Sequence, residues 1–331
     1  MAEEILLINK MADGRFHSGQ ELGEMLGISR AGVWKKLQKI KDKYGLQVDA
    51  VKGRGYRLQE SLDLLNKNSI EKVLTELGIE SPSVEVHTTI DSTNAWLMQR
   101  AALGIKTGTV CLAEQQSGGK GRHGRHWVSP FGRNLYYSML LRFDLAPAQV
   151  AGLSLTSAIA VLRLLRQMNC HQAGLKWPND VLWQGRKLAG LLLQVSGETG
   201  GPSQVVIGVG LNLGMGRYGE AIDQPWADLS QIPHVKPYRR NELAARLTAH
   251  LRDVAEQYLQ QGLAGFTDEW HKYDLYLGKQ VVISSASNLH TGIHMGIDES
   301  GGIRIETEGE IRTFHAGEVS LRGNQNDVSR S

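Results

Sequence analysis

Apolar residues recur at helical spacing in three short segments within the first 45 residues. Their apolar faces are Ile5, Leu6 and Ile8, then Leu22, Met25 and Leu26, then Val33, Leu37 and Ile40. A capping box from Ser18 to Glu21 opens the second segment, and Ser29 opens the third. The tight, glycine-containing turn at 27–29 joins these two segments. They are therefore predicted to form a helix-turn-helix.

A hairpin is predicted directly after this pair of helices. The pattern LQVDAVKGRGYRL alternates as two strands do and turns at residues 52–55. A hairpin in this place would be the wing of a winged helix-turn-helix. We assign this domain to residues 1–63.

Strand-like and helix-like segments are mixed between residues 64 and 272. The strand-like segments are VEVHTT, GTVCLA, NLYYSMLLRF, QVVIGVGLNLG and the hairpin VLWQGRKLAGLLLQV. The helix-like segments begin at Ser69, after Asp91, at LSLTSAIAVLRLLRQM and at residue 239. This order indicates an α/β domain with a mixed sheet, so the chain as a whole is predicted to be a multidomain α+β protein.

From Lys279 onwards the chain shows only short strands separated by turns. Several strands in about 50 residues without a helix predict a small barrel. We assign it to residues 273–323 and expect residues 324–331 to be a disordered tail.

Composition agrees with an ordinary globular protein of several domains. The chain has 331 residues, of which 41% are apolar and 21% are charged. The acids of MAEEILLINK are unlike a secretory leader, and we expect no membrane span and a cytoplasmic location. Cys111 and Cys170 are too few for a disulfide framework or a metal cluster, so both are expected to be structural.

The positive charge is concentrated at the N-terminus. Residues 1–60 have 11 lysines and arginines against 8 acids, whereas the rest of the chain is balanced. Lysine-rich helix faces are usually only solvated, but here the charge coincides with a helix-turn-helix and a wing, which favours DNA binding. The expected DNA contacts are Ser29, Arg30, Ala31, Trp34, Lys35, Lys52 and Arg54.

The stretch AEQQSGGKGRHGRHWVSPFGR, residues 113–133, has the composition of an anion-binding loop. Four of the seven residues from Gly118 to Gly124 are glycines, and no acid occurs between Gln115 and Phe143. It matches neither the Walker nor the Rossmann pattern. From composition alone, a disordered basic loop or a nucleic-acid contact remains an equal alternative.

Further polar groups occur where strands end. Lys176-Trp-Pro-Asn-Asp180 forms a turn, and Lys187 precedes an apolar strand, where it either snorkels outward or points into a pocket. Ser92 and Thr93 either cap a helix or bind a small polar ligand. Gly208 and Gly210 would let a flat ligand lie against their strand. Cations beside a glycine-rich loop suit the activation of a carboxylate by ATP, because both reactants are anions.

These motifs together resemble the bacterial biotin-protein ligase family. The segments that carry the resemblance are GKGRHGRHW, SPFG, KWPND and KLAG, and FHSGQELGEMLGISRAGVWKKLQKIK with KGRGYRL is similar to the DNA-binding part of the bifunctional ligase/repressor subgroup. The resemblance covers essentially the whole chain. It implies a class II synthetase-like catalytic domain and a C-terminal SH3-like barrel.

The resemblance also implies roles for single residues. Biotin would contact Ser92, Thr93, Gln116, Gly119, Arg122, Lys187 and Gly208. The adenylate would contact Lys120, Arg122, Asn179, Lys187, Asn212 and Trp226. Lys187, Arg122 and Asp180 would be catalytic, with Asp180 orienting or deprotonating the acceptor lysine. Lys120 and His123 depart from the arginines frequent in the family, which leaves the contact made by Lys120 open.

The implied reaction joins biotin to a lysine of the biotin carboxyl carrier protein through biotinyl-AMP. ATP and Mg²⁺ take part, although no residue is identifiable as a metal ligand. Biotinyl-AMP would also favour a homodimer that represses the biotin operon by binding its operator DNA. Two alternatives are a lipoate ligase and a ligand-sensing repressor without enzymatic activity.

Overall fold

The computed structural model describes residues 2–80, 83–236, 238–285, 288–315 and 319–323. Its α-helices are α1 (Ala2–Met11), α2 (Gly19–Leu26), α3 (Arg30–Tyr44), α4 (Lys67–Glu76), α5 (Thr93–Ala102), α6 (Leu153–Gln167), α7 (Arg240–Gln261) and α8 (Thr267–Tyr273). Its strands are β1 (Val48–Val51), β2 (Gly55–Leu58), β3 (Val84–His87), β4 (Val110–Ala113), β5 (Leu135–Phe143), β6 (Ala173–Lys176), β7 (Asp180–Trp183), β8 (Arg186–Gly197), β9 (Ser203–Leu211), β10 (Gln280–Ser285), β11 (Asn288–Ile297), β12 (Ile303–Thr307), β13 (Glu310–Phe314) and β14 (Val319–Gly323).

Helices α1 to α3 and the hairpin β1–β2 confirm the predicted winged helix-turn-helix. The hydroxyl of Ser18 caps α2 by accepting the N–H of Glu21 at 3.0 Å, and Ser29 caps α3 in the same way. Gly27 ends α2 at a φ of 67°, a conformation that glycine adopts without strain. The apolar faces of the three helices meet in one core with the end of β2.

The central domain contains a seven-stranded mixed sheet in the order β3-β4-β5-β9-β8-β7-β6. Only β3 and β4 are parallel neighbours, and every other neighbouring pair is antiparallel. Helices α6 and α7 pack in the large core on one face, while α5 packs with Cys111 and Leu140 on the other. The mixed sheet is therefore confirmed, with the amino end of α5 lying against it.

Helix α4 begins at Lys67, two residues before the predicted start at Ser69. The side chain of Asn66 accepts the N–H of Ser69 at 2.9 Å and so caps the helix. Asparagine is a favoured cap residue because its short side chain reaches the unpaired amides of the first turn.

The C-terminal strands form a separate five-stranded antiparallel sheet in the order β13-β12-β11-β10-β14. This confirms the small all-β domain, and β13 and β14 are its two edges within the described part of the chain. The predicted disordered tail, 324–331, lies outside the described residues. The domain boundaries given above remain our proposal.

One segment has the length and composition of a membrane span. It runs from Pro147 to Gln167 and includes α6, and 72% of its most apolar window is buried inside the protein. The segment is therefore a helix of the protein core, because α6 packs between the sheet and α7.

Both cysteines are free and buried. Burial raises the pKa of the Cys111 thiol well above its usual value, and burial also raises that of Cys170. A buried, protonated thiol is inert, which agrees with a structural role for both. Within the described ranges, no group of three or more His, Cys, Asp or Glu side chains could hold a metal ion.

A buried ion pair attaches the linker after the wing to the central domain. The guanidinium of Arg240, at the start of α7, lies 2.6 Å from the carboxylate of Glu114, and both side chains are less than 8% exposed. Arg240 also donates to the carbonyls of Asp63 and Asn134, at 2.8 Å each. The other oxygen of Glu114 accepts the N–H of Leu65 at 2.5 Å. The linker is thereby fixed at the end of β4.

Residues that follow the central strands contact the carboxyl end of α3. Phe131 is buried in the N-terminal core, with its ring 5.0 Å from that of Tyr44. The carbonyl of Gly45 accepts hydrogen bonds from Tyr218 at 2.9 Å and from Arg217 at 3.2 Å. The N-terminal winged helix-turn-helix therefore shares a packed surface with the central domain.

The C-terminal domain contacts the central domain at the turn between β6 and β7. The indole N–H of the buried Trp177 donates to the carbonyl of Gly301 at 3.0 Å. The N–H of Leu275 donates to the carbonyl of Leu175 at 3.0 Å. The turn that holds Asn179 and Asp180 is therefore supported by both domains.

Candidate functional site

A cavity of about 990 Å³ opens between the amino end of α5, the strands β8 and β9, the loop between β4 and β5, and the loop after β9. It is lined by eleven of the residues expected from the sequence to bind biotin or the adenylate, or to act in catalysis: Ser92, Thr93, Gln116, Lys120, Arg122, Asn179, Asp180, Lys187, Gly208, Asn212 and Trp226. Gly119 is not among the lining residues. The volume is that of a pocket for a small organic ligand.

The end of the cavity at α5 is lined by uncharged polar groups. The hydroxyl of Ser92 caps α5, accepting the N–H of Ala95 at 3.4 Å. The carbonyl oxygen of the Gln116 side chain accepts the backbone N–H of Thr93 at 2.9 Å, and its amide donates to Ser129 at 3.4 Å. These groups suit a neutral ring that both donates and accepts hydrogen bonds.

A chain of hydrogen bonds extends from Thr93 into the protein. The hydroxyl oxygens of Thr93 and Ser138 are 2.7 Å apart, and Ser138 donates to Oδ1 of Asn94 at 2.6 Å. The Nδ2 of Asn94 donates to the carbonyl of Leu192 and to the side chain of Gln194, at 3.1 Å each. Ser138 is fully buried, and Asn94 is nearly so.

The glycines of β9 leave room for side chains of this chain. A Cβ on Gly208 would collide with the amide of Asn94, and one on Gly210 would collide with the indole of Trp127. The Cβ directions of both glycines are therefore occupied by side chains of this chain, while both glycines still line the cavity. Trp127 covers Gly210, and Asn94 fills the space beside Gly208.

The charged groups of the cavity are close together around Lys187. The Nζ of Lys187 lies 2.8 Å from Oδ1 of Asp180 and 5.4 Å from the centre of the Trp127 ring. Burial lowers the pKa of Arg122, while the nearby Asp180 carboxylate acts in the opposite direction. The lysine thus points into the pocket, which decides between the two orientations left open by the sequence.

The long loop after β9 is held against β8 at Lys187. The N–H of Lys187 donates to the carbonyl of Pro225 at 3.0 Å, and the N–H of Ala227 donates to the carbonyl of Lys187 at 2.9 Å. The amide of Asn212 donates to the carbonyl of Ala227 at 3.0 Å. Trp226 packs over Gly219, where a Cβ would collide with its ring. Trp226 is thereby placed at the cavity.

Asn179 and Gly119 form hydrogen bonds with backbone groups that line or support the cavity. The side-chain amide of Asn179 donates to the carbonyl of Leu191. The carbonyl of Gly119 accepts the N–H of Trp127 at 2.9 Å, and a Cβ at Gly119 would lie 2.9 Å from Oγ of Ser129. Gly119 thus allows the glycine-rich stretch to fold back against Gln116.

The expected DNA contacts form two groups on the winged helix-turn-helix. Ala31, Trp34 and Lys35 are exposed on one face of α3, and Trp34 is 52% exposed. Lys52 is exposed on the wing. Arg54, also on the wing, lies 4.2 Å from the centre of the Phe16 ring.

Two of the expected DNA contacts also have structural partners. The hydroxyl of Ser29 caps α3, and Arg30 donates to the side chain of Gln20 at 2.8 Å.

Sequence reasoning missed Asn94, Ser138 and Trp127 as residues of the site. Ser138 is the one polar residue within the run YYSMLL, and a lone serine inside a buried strand needs a partner. Asn94 stands directly after Thr93, but its contact with Ser138 spans 44 positions.

Residues 86–212 match the biotin/lipoate A/B protein ligase family, 2–57 an HTH domain and 276–322 the biotin protein ligase C terminal domain. The chain is 42% identical to the bifunctional ligase/repressor BirA of Escherichia coli, covering 96% of each chain. It is 32% identical to the biotin--[acetyl-CoA-carboxylase] ligase of Mycobacterium tuberculosis over 77% of this chain and 95% of that one. The biotin protein ligase of Aquifex aeolicus in complex with biotin and ATP superposes with a TM-score of 0.64 at 28% identity, covering 73% of this chain and 99% of that one.

Proposed function

Since the chain belongs to the bifunctional ligase/repressor members of the biotin protein ligase family, we propose that it activates biotin with ATP and transfers it to a lysine of a carrier protein. We propose in addition that biotinyl-AMP makes the same chain a repressor of the biotin operon. The cavity carries the proposal, because it joins a neutral polar end to a cationic end.

The first half-reaction would form an acyl-adenylate. A carboxylate oxygen of biotin attacks the α-phosphorus of ATP, an O–P bond forms, and pyrophosphate leaves with the electrons of the broken bond. Two anions must approach each other, so cations have to offset their repulsion and the charge that develops on the phosphoryl oxygens. Lys187 and Arg122 would supply these charges.

Biotin would lie with its ring at α5 and its carboxylate at Lys187. Its ring would bind Ser92, Thr93 and Gln116, which line the neutral end. Gly119 would support the ring site by letting its loop approach Gln116 closely. Gly208 would support it by leaving room for the side chain of Asn94.

The adenylate would occupy the side of the cavity formed by the loop after β9. Trp226 would offer an aromatic face to the adenylate, and Lys120 would add positive charge. Asn212 and Asn179 hold the backbone of Ala227 and Leu191, respectively, by hydrogen bonds. Mg²⁺ would accompany the phosphates. Magnesium commonly takes most of its ligands from phosphates and water.

The second half-reaction would transfer the biotinyl group. The amine of the acceptor lysine attacks the acyl carbon, an amide forms, AMP leaves and the amine loses a proton. Asp180 is bound to Lys187 at 2.8 Å in this structure, so it holds Lys187 before the reaction. Once Lys187 binds the ligand's anionic groups, the carboxylate of Asp180 could orient the acceptor amine or accept its proton.

The repressor activity would use the exposed face of α3 and the wing. Ala31, Trp34 and Lys35 would enter the major groove, while Lys52 and Arg54 would contact the backbone beside it. Two helix-turn-helix units are required for a palindromic operator, so we propose that the repressing form is a homodimer. ATP, carrier protein and operator DNA are cytoplasmic, and we place the chain there.

Radiolabelled biotin and ATP, incubated with and without a carrier domain, test the proposal. We expect labelled biotinyl-AMP in the absence of the carrier and label on one carrier lysine in its presence. Operator binding by the same sample should increase with biotin and ATP and decrease when carrier is added. Lipoate in place of biotin should give no labelled product, and label transfer from lipoate would favour the lipoate ligase alternative.

A second outcome would separate the enzyme from a pure sensor. If operator binding responds to biotin while neither adenylate nor labelled carrier forms, the chain is a ligand-sensing repressor and the ligase proposal fails.

A further inference from the structure

The hydrogen-bond chain from Thr93 to Asn94 has a fixed direction. The carbonyl of Leu192 can only accept, so the Asn94 atom that faces it at 3.1 Å is the Nδ2 donor. The other amide atom, Oδ1, therefore faces Ser138 at 2.6 Å. Because Oδ1 can only accept, the single hydroxyl proton of Ser138 lies on this bond.

The direction of this bond determines the proton of Thr93. The 2.7 Å bond between the hydroxyls of Thr93 and Ser138 needs a proton, and Ser138 has already used its own. The Thr93 hydroxyl therefore donates to Ser138, and among the described residues the side-chain oxygen of Gln116, at 3.1 Å, is a second and longer acceptor. With either acceptor, the proton of Thr93 stays inside the protein. Towards the cavity, the Thr93 hydroxyl offers only lone pairs.

We infer that Asn94 is a positioning residue that keeps Thr93 an acceptor, so that the site selects a ring N–H of the ligand. The inference rests on the proposed function, in which the ligand ring is the ureido ring of biotin. In a reversed chain, Ser138 would donate to Thr93 and Thr93 would donate to the ligand. The hydroxyl oxygen of Ser138 and Oδ1 of Asn94 would then be 2.6 Å apart with no proton between them. Asn94 thereby excludes the reversed direction.

Gly208 supports the same arrangement independently. It lies on β9, far from Asn94 in sequence, and a Cβ there would collide with both the oxygen and the nitrogen of the Asn94 amide. The strand therefore leaves room for the Asn94 amide at this place, and the hydrogen bonds of the amide set its orientation. Nδ2 is also bound to Gln194 at 3.1 Å, so both ends of the amide are fixed.

Ring analogues of biotin test the inference. In two cyclic carbamates, one or the other ring N–H is replaced by an oxygen that can only accept. Adenylate formation is followed by pyrophosphate release for biotin and for each carbamate. The wild-type chain should disfavour the carbamate whose oxygen faces Thr93 by roughly tenfold to a hundredfold in kcat/KM, because two acceptors would then face each other.

Asn94→Ala should lower this discrimination to less than about threefold, since the chain can then reverse and Thr93 can donate to the carbamate oxygen. The KM for biotin should increase while kcat changes little. Ser138→Ala should also lower the discrimination, because it removes the acceptor at 2.7 Å and leaves the Thr93 proton with only the longer contact to Gln116 at 3.1 Å. It provides the same test if Asn94→Ala does not fold. Gln194→Ala is the matched control, as it removes a partner of Nδ2 and leaves the Ser138 bond intact, so its discrimination should equal that of wild type.

Equal losses for biotin and both carbamates in Asn94→Ala and Ser138→Ala would overturn the inference, since a purely structural role weakens all three ligands alike. Wild-type protein that accepts both carbamates as well as biotin would overturn it too. Wild-type protein that forms no adenylate from biotin at all would instead contradict the proposed function.

Discussion

The buried pair of Arg240 and Glu114 should be one of the most sensitive points of the fold. Replacing Arg240 by methionine keeps most of the side-chain volume but removes the donors to Glu114 and to the carbonyls of Asp63 and Asn134. The carboxylate of Glu114 would then stay buried without its countercharge. Breaking a buried pair in this way costs about 3–5 kcal/mol.

The expected change in thermal stability follows from this free energy. A loss of about 4 kcal/mol in a domain of this size lowers Tm by roughly 8–16 °C. Differential scanning calorimetry of the ligand-free protein measures it directly. Glu114→Leu alone should be similarly costly, because it leaves the guanidinium of Arg240 buried and removes the acceptor of the Leu65 N–H.

A double-mutant cycle separates the ion pair from simple loss of volume. The variant with both Glu114→Leu and Arg240→Met has no buried charge, so it should be more stable than the sum of the two single losses predicts, by about 3 kcal/mol. Arg246→Met is the matched control, because its bond to Glu242 lies on the same helix and is about one-third exposed; it should change stability by less than about 1 kcal/mol. Single losses below that value, or strictly additive ones, would refute the reasoning.

Other substitutions test the site, the DNA-binding domain and the response to pH. Lys187→Ala should reduce adenylate formation at least a hundredfold, because about 3 kcal/mol of charge-assisted hydrogen bonding is lost. The control Arg186→Ala should retain most of the adenylate formation. Normal pyrophosphate release by Lys187→Ala would contradict the role of Lys187. Arg122→Gly should release biotinyl-AMP and label unrelated lysines, which mass spectrometry of a protein mixture would detect; labelling confined to the carrier would argue against this. Lys35→Ala should decrease the slope of log affinity against log salt by about one in operator titrations, and an unchanged slope would exclude a phosphate contact. Burial lowers the pKa of His250 below its ordinary value of 6.5, so the unfolded chain binds the proton first and the free energy of unfolding should fall as pH decreases below about 6.5. His250→Asn should make unfolding by urea less dependent on pH in that range. An equally steep pH dependence in the variant would show that His250 is not its source.

Local patterns predicted the elements of this chain well. The capping serines Ser18 and Ser29, the glycine at position 27 and the apolar strand runs are short-range signals, and the structure has the elements that they predict. The start of α4 was placed two residues late because Asn66 was not recognised as its cap.

The sequence could not give the arrangement of these elements. The insertion of β9 between β5 and β8 depends on long-range pairing, for which the chain has no local signal. For the same reason, the contacts of Ser138 with Asn94 and of Trp127 with Gly210 were not predicted. The residues around the cavity were recognised as a set because their motifs are specific together. Their distances, such as the 2.8 Å between Lys187 and Asp180, required the structure.

The position of Phe131 limits how this chain can be shortened or recombined. Phe131 belongs to the catalytic part of the sequence, yet its ring is buried against Tyr44 in the core of the DNA-binding domain. A truncation after residue 63 would therefore expose the ring of Phe131 and remove part of the packing of both pieces. Anyone who builds a minimal ligase from this chain should replace Phe131 by a polar residue in the same step. A fusion that exchanges the DNA-binding domain for another must supply an aromatic partner in the place of Tyr44.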